Sequence, residues 1–133
     1  MAEDYLAIQV IMMPRDTNPH GTIFGGVILS YIDQAGAIGG RREVARGGGT
    51  LPVLVTVAIN RVEFQKPVLV GDVVRFLTRL VRLGRTSITM HVRVEVERGA
   101  NTLQVTEAEV VYVNIDPTSP ERRPKPLLGD KAI

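Results

Sequence analysis

In this 133-residue chain a long helical pattern gives way to a period of two, and that switch restricts the folds open to it. From about Gly25 to Arg46, apolar and small residues recur at helical spacing, about 22 residues or ~33 Å at 1.5 Å per residue. Gly47, Gly48 and Gly49 stop the helix there, as glycines past a C-terminus do. After Pro52 the period becomes two. Val53, Val55, Val57 and Ile59 alternate with Leu54, Thr56, Ala58 and Asn60, and the run continues to Phe64. Lys66-Pro67 and Gly71-Asp72 mark a turn before a strand from Val73 to Leu83. Beyond Gly84-Arg85 comes the clearest alternation. Ile88, Met90, Val92, Val94 and Val96 face one way, and Ser87, Thr89, His91, Arg93 and Glu95 the other. Leu103 to Ile115 forms the last strand, and Leu6 to Met12, ahead of the helix, the first.

This order predicts an α+β fold, one long central helix covered by a curved antiparallel five-stranded sheet. The four later strands, joined by short turns, read as a meander. One helix covers one sheet face only and leaves the sheet edges open, so edge pairing between copies is the expected remedy. The domain is expected to span 1–116, with a proline-rich C-terminal tail over 117–133 that carries Pro117, Pro120, Pro124 and Pro126. With no Trp and only three Phe and three Tyr, the core must be built from Val, Ile and Leu, which favour strands.

Charge and composition narrow the function. Lys and Arg exceed Asp and Glu by 16 to 14, but they are scattered and do not alternate with aromatics, so no nucleic-acid platform is expected. The absence of cysteine excludes disulfides, a thiol nucleophile and thiolate metal sites. No basic start with an apolar h-region opens the chain, and no apolar run approaches ~20 residues. The expectation is a cytoplasmic protein without a membrane partner.

Chemistry concentrates between Asp16 and Asp33, in DTNPHGTIFGGVILSYID. At 100° per residue Asp33 shares a helix stripe with Leu29, Ala37, Gly40 and Val44, all apolar or small. Its neighbours three and four positions away are Ser30, Leu29, Gly36 and Ala37, so no intrahelical ion pair is available. Asp33 is then either a partly desolvated general base or a structural acid facing solvent or a subunit contact. Gly25 and Gly26 open the helix, where unpaired amides and the positive end of the macrodipole make an oxyanion site or simply an entry turn. Asn18 either orients a water or a carbonyl, or makes the local backbone bonds common for Asn in turns. The small set Gly36, Ala37, Gly39 and Gly40 points to tight helix-to-sheet packing.

Rival chemistries lack their parts. No G-x-S-x-G elbow is present, and the histidines are His20, in the polar loop, and His91, on the polar side of a strand. Neither metal-ligand spacing nor a dinucleotide fingerprint occurs, so no metal and no cofactor are expected.

The string MPRDTNPHGTIFGGVILSYIDQAG, Met13 to Gly36, closely resembles the signature of hotdog-fold acyl-CoA thioesterases of the acyl-CoA hydrolase (YciA-like) type. Phe64-Gln65-Lys66-Pro67-Val68, Val70-Gly71-Asp72-Val73 and Leu83-Gly84-Arg85-Thr86-Ser87 follow in matching order, so the likeness runs from about Leu6 to Asp116. It implies a hotdog fold and hydrolysis of fatty acyl-CoA to free acid and CoA. Asp33 would be general base or nucleophile, with Asn18 supplied by the partner protomer and the Gly25 and Gly26 amides holding the oxyanion. Lys66, Gly84, Arg85, Thr86 and Ser87 become candidates for binding the CoA moiety, which is part of the substrate. The homodimer is the implied active unit, assembled as a trimer of dimers. Two other readings stand beside it: a non-catalytic acyl-CoA-binding hotdog, and a hydratase, for which only His20 could accompany the acid. Relatives often carry a bulky aromatic just after the glycine pair, where this chain has Val27.

Overall fold

The computed structural model describes residues 3–129. Its element order is β1 (Tyr5–Ile11), a 3-10 turn (Pro14–Asp16), α1 (Gly25–Arg46), β2 (Leu54–Asn60), β3 (Val73–Leu83), β4 (Ser87–Arg98) and β5 (Asn101–Asn114). The five strands form one antiparallel sheet in the order β1-β3-β4-β5-β2.

The meander is therefore shorter than expected. Only β3, β4 and β5 follow one another as neighbours, and β2 lies at the far edge, paired with β5. The pairing continues past the end of β2. The strand stops at Asn60 instead of running to Phe64, and Arg61 turns the chain with φ +53°. The chain then stays alongside β5. Gln65 N–H donates to Val105 O at 2.8 Å, and Thr106 Oγ1 donates to Glu63 O at 2.7 Å. β2 and the residues after it thus bond to β5, and β3 pairs with β1 and β4.

Alternation does what period two requires. Ile88, Met90, Val92, Val94 and Val96 are all buried, as are Val74 and Phe76 of β3 and Val110 and Tyr112 of β5. Against them lies α1 through Ile28, Ile32, Ala35 and Val44, with β3 and β4 at the centre of the contact. Each fully buried apolar side chain contributes about 1.5–3 kcal/mol, so this single layer holds the domain. Every strand pairing carries one register shift: at Leu6/Ile8, Thr56/Ala58, Leu80/Arg82 and Val94/Glu95. Bulges add twist and bend, and four of them curl the sheet around the helix.

The helix can lie this close because its inward side is bare. A Cβ on Gly39 would fall 2.8 Å from the Thr78 Cβ, and one on Gly40 3.2 Å from Leu54 Cδ1. The segment set apart in the sequence as a tail packs on the domain as far as Leu127, which is buried. Leu128 lies against Gly47 and Gly49 at the helix C-terminus. No helix among the described residues is long and apolar enough to cross a membrane.

Candidate active site

Asp33 sits half-buried on the side of α1 that faces β2. Thr56 Oγ1 of β2 donates to its Oδ1 at 2.5 Å. One oxygen is thus steered by the Thr56 hydroxyl, and the Tyr112 hydroxyl also lies close to the carboxylate. The main chain at Asp33 is held as well, since the Tyr112 hydroxyl of β5 donates to Asp33 O at 2.6 Å. Gly36 makes this possible, because a Cβ there would overlap the tyrosine hydroxyl and come 3.1 Å from its Cζ. Burial first, then the Asp33 charge, pushes the Tyr112 hydroxyl well above its ordinary pKa, so it stays a neutral donor.

The glycine pair opens onto two depressions. Gly25 lines a cleft of about 350 Å³ together with Thr22, Ile28, Phe64, Lys66 and Val68. It lies in van der Waals contact with Phe64, 3.5 Å from where a Cβ would stand. Gly26 lines a shallower groove with Phe24, Val27, Ser30 and Tyr31. The Phe24 ring covers Gly26, 2.6 Å from a Cβ there. Phe24 is the N-cap and offers no side-chain bond to the helix, so among the described residues the Gly25 and Gly26 amides have no partner, while Val27 N–H donates to Phe24 O at 3.0 Å.

The cleft's far wall is the 66–72 loop, and a salt bridge latches it. Arg98 Nη2 donates to Asp72 Oδ2 at 2.6 Å and to Pro67 O at 2.7 Å, while Leu69 N–H donates to Asp72 Oδ2 at 2.8 Å. Burial acts to raise the Asp72 carboxyl, but the Arg98 hydrogen bond, the Leu69 amide and the Arg98 charge outweigh it and hold it below the usual range. The latch thus stabilises the fold above the ordinary carboxylate pKa, and loses its effect as pH falls through the lowered value. Arg98→Ala is expected to cost about 1–2 kcal/mol at pH 7 and to flatten the acid limb of a Tm-against-pH curve. An unchanged acid limb would show that Asp72 is not held by Arg98.

Asn18 makes the local bonds of a turn. Its Nδ2 donates to Thr22 Oγ1 at 2.7 Å, and its Oδ1 accepts from His20 N–H at 2.9 Å and from Thr22 N–H at 3.2 Å. Within one chain it shares no hydrogen bond with Asp33 among the described residues, although Thr22 places it beside the cleft. His20 is exposed on the same turn. His91 lies on the outer sheet face with Nδ1 buried and unpartnered, and its Nε2 is 3.7 Å from Glu107 Oε1.

The basic candidates divide. Lys66 stands at the cleft, near the helix N-terminus. Gly84, Arg85, Thr86 and Ser87 form the β3–β4 turn, closed by Gly84 N–H donating to Ser87 O at 2.8 Å. That turn sits by the end of β5 and by the segment after it, whose Leu128 packs on Gly47 and Gly49 at the C-terminal end of α1. A helix of 22 residues separates the two groups by roughly 33 Å.

Thr56 and Tyr112 were not singled out in the sequence. The signal for Thr56 was present: it is the one hydroxyl in the apolar run from Val53 to Ile59. Tyr112 gave none, because its partner is a main-chain oxygen that any residue possesses.

A family model described as Thioesterase superfamily matches residues 20–111. The chain is 39% identical over 129 residues to the acyl-CoA thioester hydrolase YciA of Salmonella typhimurium, covering 93% of this chain and 92% of that protein. The hexameric thioesterase of Yersinia pestis superposes with a TM-score of 0.80 at 35% identity, covering 95% of this chain and 97% of its own. A hexameric broad-specificity acyl-coenzyme A thioesterase gives a TM-score of 0.80 at 34% identity, covering 98% and 86%.

Proposed function

From the premise that this chain belongs to the thioesterase superfamily, as a hotdog-fold acyl-CoA thioester hydrolase, we propose that Asp33 carries the hydrolytic step. The observation behind this reading is the Thr56 hydrogen bond. It fixes the orientation of the carboxylate. A water held by that carboxylate gives up its proton to Asp33 as its oxygen bonds to the thioester carbonyl carbon. The carbonyl electrons move onto oxygen, where the Gly25 and Gly26 amides of a second protomer stabilise the charge, since eight residues or ~12 Å of helix part them from Asp33 within one chain. Collapse of the tetrahedral species breaks the C–S bond, and the thiolate of CoA takes the proton back. Direct attack by the carboxylate, with an anhydride that water later opens, uses the same groups.

Asn18 would complete the site from a second protomer, orienting the water or the thioester. Its separation from Asp33 within one chain and its place beside the Gly25 cleft support this. The open edge of β2, with Val53 and Val57 exposed, supports a homodimer. The hexameric relatives support a trimer of such dimers. Lys66 would face the substrate at the mouth of the cleft. Fatty acyl-CoA fits the apolar lining given by Ile23, Ile28, Phe64 and Val68.

The test is release of free thiol from short, medium and long acyl-CoAs. Turnover on at least one chain length is expected. Tight binding of acyl-CoA without thiol release would replace this reading with that of a sensor. Thr56→Val, which removes the hydroxyl and keeps the branched shape, is expected to lower kcat about ten- to a hundred-fold, the effect of losing a hydrogen bond to a charged group. KM should change little. A wild-type kcat would leave Thr56 a packing residue.

A further inference from the structure

The outer face of the sheet is divided. Across the middle of β4 and β5 it is charged, with Arg93, Glu95 and Glu97 on one strand and Glu107 and Glu109 on the next. At the β1 edge it turns apolar. Leu6 and Ile11 of β1 are exposed, and Ile11 is paired with the exposed Val73 of β3. The 66–72 loop continues the strip with Leu69 and Val70, and Met13 closes it past the end of β1. Two main-chain bonds fasten these pieces together. Met12 N–H donates to Asp72 O at 2.9 Å, and Gly71 N–H donates to Met12 O at 2.9 Å.

Charge is drawn away from this strip. The β1–β3 register places Arg75 beside Gln9, between Leu6 and Ile11. Its guanidinium reaches across to β4, where Nη2 donates to Glu95 Oε1 at 2.8 Å and Nη1 to Glu97. The carboxylates nearest the strip are engaged as well. Arg98 and the Leu69 amide hold Asp72, and Met13 N–H donates to Asp16 Oδ2 at 2.9 Å. A fastened, uncharged row of large apolar side chains is what a folded chain seldom leaves in water.

The strand order says what covers it. β1 and β2 are opposite edges, so two chains joined at β2 carry one strip at each end of their shared sheet. Equal ends join by meeting each other across a two-fold axis. An uncharged strip can face its own copy without like-charge repulsion, which the charged face of β4 and β5 cannot. Resting on the trimer of dimers proposed for this chain, we infer that the strip is the seam between dimers. Leu6, Ile11, Met13, Leu69, Val70 and Val73 pack there against the same strip of a neighbouring copy. Two self-pairing seams, β2 and the β1 strip, then alternate around a closed ring. The 66–72 loop serves two surfaces, the Gly25 cleft through Lys66 and Val68 and the seam through Leu69 and Val70.

The chain has no cysteine, so a single introduced thiol reports its neighbour. Ile11→Cys, treated with a short bis-maleimide, is expected to give a covalent pair of chains on a denaturing gel. The same variant treated in urea should give none. Ile11→Glu and Val73→Lys, made separately, each set a charge against its own copy. Each is expected to lower the mass at sedimentation equilibrium about three-fold, from a hexamer to a dimer, with the far-ultraviolet circular dichroism of wild type. A hexamer in both variants, or a lowered mass without any Ile11→Cys pair, would overturn the inference. So would single chains, which would put the strip in the β2 contact. A dimeric wild type would remove the trimer of dimers, and the seam with it. Mass is read without substrate, so the hydrolase reading stands or falls separately on thiol release.

Discussion

Asp33→Ala is expected to lower kcat on acyl-CoA by about a thousand-fold, within the 10²–10⁴ range of a positioned general base, and to leave the fold intact. The two halves of that expectation come from different atoms. Catalysis is assigned to the carboxylate, half-buried and steered by Thr56. The seat of the helix turn depends on the main-chain oxygen of the same residue, which Tyr112 holds and alanine retains. Thermal melts should therefore move little while thiol release collapses. Asp33→Asn, which keeps the shape, should be as inactive. Activity within ten-fold of wild type in both variants would remove Asp33 from the reaction. Mixing inactive Asn18→Ala and Asp33→Ala chains extends the test. A site shared between protomers regains part of its activity in mixed dimers, and no recovery would place Asn18 outside the partner's site.

The second large effect is on stability. Gly39→Ala is expected to destabilise the domain by about 1–3 kcal/mol and lower Tm by roughly 3–10 °C. On an isolated helix the same change would be favourable, by about 1 kcal/mol. Here the new methyl would meet the Thr78 Cβ at 2.8 Å and Met90 Cε at 3.1 Å, both on strands at the centre of the sheet. Thr78 is fully buried and cannot step aside without moving β3. Gly40→Ala makes the informative contrast. Its nearest neighbour is the tip of Leu54 at 3.2 Å, which can rotate, so the helix-propensity gain should largely offset the crowding. Equal losses at the two positions would mean that helix seating is not what Gly39 provides.

The residues themselves explain what was legible. The helix from Gly25 to Arg46 and the strands on either side of the Arg85 turn were readable because each keeps one period long enough to settle its face. The tight packing implied by Gly36, Gly39 and Gly40 was readable because a run of small residues on an inward face has few other uses. The position of β2 was not. Alternation shows which face of a strand is buried but carries no information about its neighbour, and β2 pairs with β5, far along the chain. In the site, Asp33 stood out as a lone acid on an apolar stripe. Its partners did not, since Thr56 is 23 residues and Tyr112 79 residues away along the chain. The basic residues looked like one group in the sequence, and the fold sends Lys66 and Arg85 to opposite ends of the helix.

The placement of β2 beside β5 also sets an order in time. A chain made from its N-terminus produces α1 before any strand able to cover it, since β1 must await β3 and β2 must await β5. Until Asn114 has been made, β2 has no neighbour and the Asp33 carbonyl has no tyrosine. Such non-local closure is slow and leaves apolar surface waiting. The carboxylate assigned to hydrolysis is thus laid down in the first quarter of the chain and is held in its working position only near the end of synthesis.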